Sequence, residues 1–214
     1  MKIKKPRQMK FARFFMVLIG LFPLVVFGQK TAFSPDMMIG NRSYGYTHAL
    51  SHRLSDKLSV QNLVLFDSEY QDDNHNIFFI RNTLAYQLPK NFILNAGFGV
   101  KNPGKFASVY LQYQWKKKDL QLVYGIGTTY QKGFTLEQSL LVEYTPQLTE
   151  QWQGLLRLSA VGNVNRHEYT RGFQHIRIGV KKDNLAIGIA ANLEQFNMSW
   201  DHFKNYGFFV KVNL

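Results

Sequence analysis

Residues 119–130 read DLQLVYGIGTTY, running from Asp119 to Tyr130. Leu120, Leu122, Tyr124, Ile126 and Tyr130 occupy even positions, while Asp119, Gln121, Gly125, Gly127 and Thr129 occupy odd ones. A period of two places alternate side chains on opposite faces of an extended chain, so this stretch is a strand with one apolar and one polar or small face. In a water-soluble protein the apolar face turns to a core. In a membrane barrel it turns to lipid, and the polar face fills the lumen.

The flanking sequence repeats the pattern. Segment 77–88 sets Phe78, Ile80, Leu84, Tyr86 and Leu88 against Arg81, Thr83 and Gln87. Segments 92–101, 106–115, 134–145, 151–160, 175–181, 185–194 and 206–214 alternate in the same way, and 43–54 and 58–69 do so less regularly. With the opening stretch this makes eleven strands. Barrels of bacterial outer membranes have an even number, so Thr31 to Gly40 is expected to supply a twelfth; ten remains open if one early segment does not cross. The expected fold is all-β, an antiparallel up-and-down barrel of about 12 strands.

The connections point the same way. Turns at 55–57, 89–91, 116–119, 147–150 and 181–184 are short, whereas 70–76, 163–170 and 195–205 read as longer loops that alternate with them, beside brief ones at 102–105 and 131–133. Short turns at one end and longer loops at the other are typical of outer-membrane barrels.

A water-soluble exported β-sandwich would also alternate. Its strands would run nearer five or six residues, and its open polar face would carry more Lys and Glu than the Gly, Ser, Thr, Asn and Gln seen here. Tyr86, Tyr113, Trp115, Tyr130, Phe134, Tyr144, Trp152, Phe173 and Tyr206 fall near strand ends, where interfacial girdles of a membrane protein would lie.

Residues 1–28 form a separate unit. Six basic residues precede or enter an apolar run from Phe14 to Phe27, and short residues surround Gly28, which matches a secretory signal peptide cleaved before Gln29. Fourteen apolar residues interrupted by Pro23 fall short of the roughly 20 that span a bilayer as a helix. The division expected is therefore 1–28 signal peptide and 29–214 barrel. The net charge of +12 shrinks to +6 without that segment, 20 basic residues facing 14 acidic ones, so it gives no case for nucleic-acid binding. There is no cysteine, which excludes thiol catalysis, cysteine-ligated metals and amino-terminal lipoprotein acylation.

The closing Tyr206-Gly207-Phe208-Phe209-Val210-Lys211-Val212-Asn213-Leu214 is similar to the terminal strand that outer-membrane barrels present to the barrel-insertion machinery, although it ends in Leu rather than Phe. Arg81-Asn82-Thr83-Leu84-Ala85-Tyr86 followed by Ala96-Gly97-Phe98-Gly99 resembles strands of uncharacterised small outer-membrane barrels from Bacteroidota-type Gram-negative bacteria. The resemblance implies an outer-membrane location with the lipid bilayer as partner. No catalytic motif travels with it.

The inward face collects Arg81, Glu137, Glu143, Arg157, His175, Arg177, Lys181, Glu194 and Lys211. As an acid/base pair Glu137 and Glu143 are too distant, since six residues span about 20 Å along a strand, against roughly 5–9.5 Å in glycosidases. A lumen laced by carboxylate–cation pairs, such as Glu143 with Arg157, is expected instead. Ser199, Asp201 and His202 contain the residue types of a hydrolytic triad on one loop, which would make a membrane-embedded lipid-modifying hydrolase, but no nucleophile elbow surrounds Ser199. The six histidines show no metal-ligand spacing, Asp72-Asp73-Asn74-His75-Asn76 lacks the form of a calcium loop, and the glycines at 97, 99, 125 and 127 are not followed by a helix. No metal or cofactor is expected. The functional expectation is a structural, adhesive or narrow-channel barrel with its lumen largely filled.

Overall fold

The computed structural model describes residues 31–102, 104–165, 169–196 and 202–214. They form β1 (Thr31–Gly40), β2 (Ser43–Arg53), β3 (Leu58–Glu69), β4 (Ile77–Gln87), β5 (Phe92–Lys101), β6 (Gly104–Lys117), β7 (Leu120–Tyr130), β8 (Phe134–Tyr144), β9 (Gln153–Val164), β10 (Tyr169–Lys182), β11 (Leu185–Phe196) and β12 (His202–Val212). Each strand pairs antiparallel with the next and β1 pairs with β12, giving a closed twelve-strand barrel. Closure leaves no unpaired sheet edge. At the seam Asp36 lies opposite Lys211, Met38 opposite Phe209 and Gly40 opposite Gly207, and Phe33 and Leu214 exchange backbone hydrogen bonds of 2.9 and 2.8 Å.

Period-two patterning sets the facing of every strand. In β7, Tyr124, Ile126 and Tyr130 are exposed on the outer wall, while Gln121, Gly125, Gly127 and Thr129 share registers with inward Lys116, Gln112, Tyr110 and Ser108 of β6. The outer wall is largely apolar, with Ile39, Phe98, Val109, Phe134, Ile189 and Phe208 all exposed on it. Of the expected aromatic girdle, Tyr86, Tyr130, Phe134, Tyr144, Trp152 and Tyr206 are exposed. Phe173 departs from the expectation: its register opposite Val161 and Glu194 turns it inward.

Local chemistry explains the tight turns. Lys90 and Asn91 have φ of 58° and 65°, the paired left-handed geometry of a two-residue hairpin turn that matches strand twist. Gly127 allows a close approach: a Cβ there would sit 2.3 Å from the Cβ of Tyr110, whose ring occupies the lumen beside it. Gly40 does the same for the Asn205 side chain, which would meet a Cβ at 1.9 Å. Asn205 uses that room to accept from the Arg42 amide at 3.0 Å and to donate to Ser43 Oγ at 2.8 Å.

The expected difference between the two ends is weak. Segments 163–170 and 195–205, read as loops, are entered by strand from both sides: β9 reaches Val164, β10 begins at Tyr169, β11 reaches Phe196 and β12 begins at His202. At the opposite end the connection 145–152, with a bridge between Gln147 and Gln153, is as long as 70–76. Backbone pairing carries on through the polar residues that suggested loops, since a ladder needs only amides and carbonyls.

Candidate functional site

One side of the lumen is packed. Met38, Leu155, Ala186, Ala190 and Phe209 cluster inside the wall formed by β1, β9, β11 and β12, with Met38 and Phe209 each 1% exposed. The inward placement of Phe209 between outward Phe208 and Val210 had its signal in alternation alone.

Charged side chains surround this cluster in pairs. Arg177 on β10 holds Asp36 of β1 at 3.2 Å and donates to Asn192 of β11 at 2.8 Å, with its guanidinium 5.6 Å from the Phe209 ring. Glu143 of β8 joins Arg157 of the neighbouring β9 at 2.9 Å and Lys211 of the distant β12 at 3.6 Å. Buried Glu194 lies 3.6 Å from Arg171 and 3.9 Å from His175. Arg42, in the turn between β1 and β2, reaches Asp67 at 3.0 Å and Glu69 at 2.6 Å. Arg81 crosses from β4 to Glu137 on β8 at 3.0 Å, and Thr129 donates to the other oxygen of that carboxylate at 2.9 Å. Glu137 and Glu143 thus take separate cations and separate places in the lumen.

The other side, lined from β2 to β10, holds a cavity of about 580 Å³. Its charged lining is Arg81, Lys101, Arg157 and Arg171 with the carboxylate Glu137, while Glu143 and Glu194 stand behind Arg157 and Arg171 as their ion-pair partners. Gln61, Gln112, Gln114, Gln121, Ser139 and Asn163 add amides and hydroxyls. Arg81 is held between the rings of Phe79 and Tyr110, at 5.4 and 4.9 Å, and Lys101 lies over Phe106 at 5.0 Å. Among the described residues Lys101 has no carboxylate within ion-pair distance. The lumen therefore keeps open space beside its charged pairs. Such a surface can hold and orient polar solutes through its many donors.

Within the fold and register just described, the sequence reading of the inward cluster placed Arg81, Glu137, Glu143, Arg157, His175, Arg177, Lys181, Glu194 and Lys211 together, and their registers are inward. Asp36, Arg42, Asp67, Glu69, Lys101 and Arg171 were not in it. Alternation could have found Asp67, Lys101 and Arg171; Arg42 lies in a turn, where parity carries no information. Of the triad considered above, Ser199 and Asp201 lie outside the described residues, and the backbone of His202 opens β12 opposite Gln195. The acidic stretch 72–76 closes on itself, with His75 on Asp72 at 3.3 Å and Asn76 donating to Asp73 at 3.2 Å.

No family model matches the sequence, and no curated protein does. Solved structures do match. By fold, the chain is similar to outer-membrane β-barrels. The NanC porin superposes with a TM-score of 0.52 at 10% identity, over 85% of this chain and 98% of that one. The KdgM porin gives 0.49 at 13% identity with the same coverage, and the translocator domain of the autotransporter NalP from Neisseria meningitidis gives 0.44 at 12% identity over 96% of this chain and 94% of that one. At these identities the likeness concerns the barrel alone.

Proposed function

We propose that the chain is an outer-membrane barrel whose lumen is a narrow, anion-preferring passage for small solutes. The observation that carries this reading is the guanidinium- and ammonium-rich lining of the cavity, in which Arg81, Arg157 and Arg171 have carboxylate partners and Lys101 has none among the described residues. Fixed charge inside a low-dielectric wall focuses potential along the passage and raises the local concentration of the opposite charge. Packing around Met38 and Phe209 narrows the lumen on the other side.

The apolar outer wall supports the membrane location, because a soluble monomer seldom exposes more than a few hundred Å² of contiguous apolar surface. Residues 1–28 act in this reading as a signal peptide cleaved before Gln29, and the terminal strand as the segment handed to the insertion machinery. A Bacteroidota-type source rests on the strand resemblance in 81–99.

The test is a planar-bilayer recording of the purified protein under a potassium chloride gradient. Discrete conductance steps with a reversal potential on the chloride side are expected. A silent bilayer from folded protein, or a cation preference, defeats the proposal.

A further inference from the structure

Single polar side chains such as Gln138 and Gln174 interrupt the apolar outer wall, and on β2 to β4 several polar side chains join in one hydrogen-bonded group. His48 on β2 and Asn82 on β4 both point outward, and each lies five residues from either end of its strand, Ser43–Arg53 and Ile77–Gln87. At a rise of about 3.3 Å per residue and a tilt near 45°, that is the middle of the roughly 25 Å apolar band. Asn62 on β3 stands between them, opposite Leu50 on one side and Asn82 on the other. The four residues Tyr46, His48, Asn62 and Asn82 form one chain of hydrogen bonds. Tyr46 Oη meets His48 Nδ1 at 3.0 Å, His48 Nε2 meets Asn62 Oδ1 at 2.9 Å, and Asn62 Nδ2 donates to Asn82 Oδ1 at 2.9 Å.

The chain has a direction. Asn62 Oδ1 only accepts, so Nε2 of His48 carries the proton and Nδ1 accepts from the Tyr46 hydroxyl. What remains at the β4 end is the Asn82 amide with N–H groups to give; what remains at the β2 end is the Tyr46 oxygen with lone pairs to fill. Asn82 is exposed, beside Phe98, which is 65% exposed. Hydrocarbon offers neither donors nor acceptors, so a polar chain at this depth calls for a protein partner.

We infer that this face is the contact between two copies of the chain related by a two-fold axis along the barrel axis. Such an axis keeps both copies inserted the same way and reverses the direction across the strands. The donor end of one copy then meets the acceptor end of the other, giving two equivalent bonds from Asn82 Nδ2 to Tyr46 Oη. An unrelated partner would need a matching donor and acceptor of its own; a second copy supplies both by symmetry.

The absence of cysteine makes the test direct. Differently tagged chains carrying Tyr46→Cys and chains carrying Asn82→Cys are co-expressed, folded barrels are recognised by their heat-dependent gel mobility, and membranes are oxidised. A disulfide-linked heterodimer forming faster than either homodimer is expected. Asn82→Leu should weaken self-association in mild detergent by about tenfold or more while the barrel stays folded. A protein that stays monomeric in membranes and detergent, a cross-linked ladder beyond the dimer, or cross-linking of this face only to another protein each overturns the inference. So does an Asn82→Leu barrel that is folded and dimerises as before. None of these outcomes bears on conductance, so the failure of this inference and that of the channel reading are separable.

Discussion

Arg81 on β4 and Glu137 on β8 meet at 3.0 Å across the lumen, four strands apart, with Glu137 the one carboxylate among the described residues that lines the cavity. In the proposed channel, the pair contributes to both the charge and the width of the passage. Glu137→Gln removes the negative charge while keeping the shape, and should move the reversal potential further toward chloride. Arg81→Ala should widen the passage and weaken the preference, at a stability cost of about 1–3 kcal/mol for the carboxylate left behind. Conductance and reversal potential in the same bilayer recording check both.

Lys101 offers the cleaner probe of the field, since no carboxylate is paired with it among the described residues. Lys101→Gln should lower the chloride preference and leave urea stability unchanged or raised, because a half-buried cation with no carboxylate to pair with costs free energy to keep. A fall in stability comparable to that of Arg81→Ala would contradict this.

Depth along β7 should be readable in stability. Ile126 lies near the middle of Leu120–Tyr130 and Leu122 near one end. Arginine at Ile126 is expected to cost about 2–4 kcal/mol, and at Leu122 about 0–1 kcal/mol. Equilibrium unfolding in phospholipid vesicles measures both, and equal costs would place the apolar band elsewhere.

Glycine replacements separate room from conformation. Gly127→Ala pushes a methyl group onto the Val109 carbonyl oxygen and Tyr110 Cβ and should destabilise by about 1–3 kcal/mol or more, whereas Gly133→Ala, with nothing within 4 Å of the new Cβ, should be close to neutral. Heat-dependent gel mobility of the two variants is the simplest readout.

Arg42 holds two carboxylates, and Asp67 is 3% exposed. Arg42→Ala strands a buried charge and should cost about 3 kcal/mol or more. The double variant Arg42→Ala with Asp67→Asn should recover much of that loss; no recovery in urea unfolding would show that the pair is not the source.

What the sequence determined by itself is the wall. Twelve strands follow from eleven alternating segments plus Thr31 to Gly40, and the facing of DLQLVYGIGTTY follows from its period, because neighbouring residues of a strand must point to opposite sides. What only the tertiary structure decided is who meets whom inside and outside that wall. Arg81 with Glu137, Lys211 with Glu143 and Arg177 with Asp36 join strands that are not neighbours in sequence, and closure of the barrel alone brings them within reach. The outward chain from Tyr46 to Asn82 depends on the register of three strands. The inward turn of Phe173, against its expected place in the girdle, depends on the pairing of β10 with β9 and β11. Alternation chooses a face, but register and closure choose the partner on it.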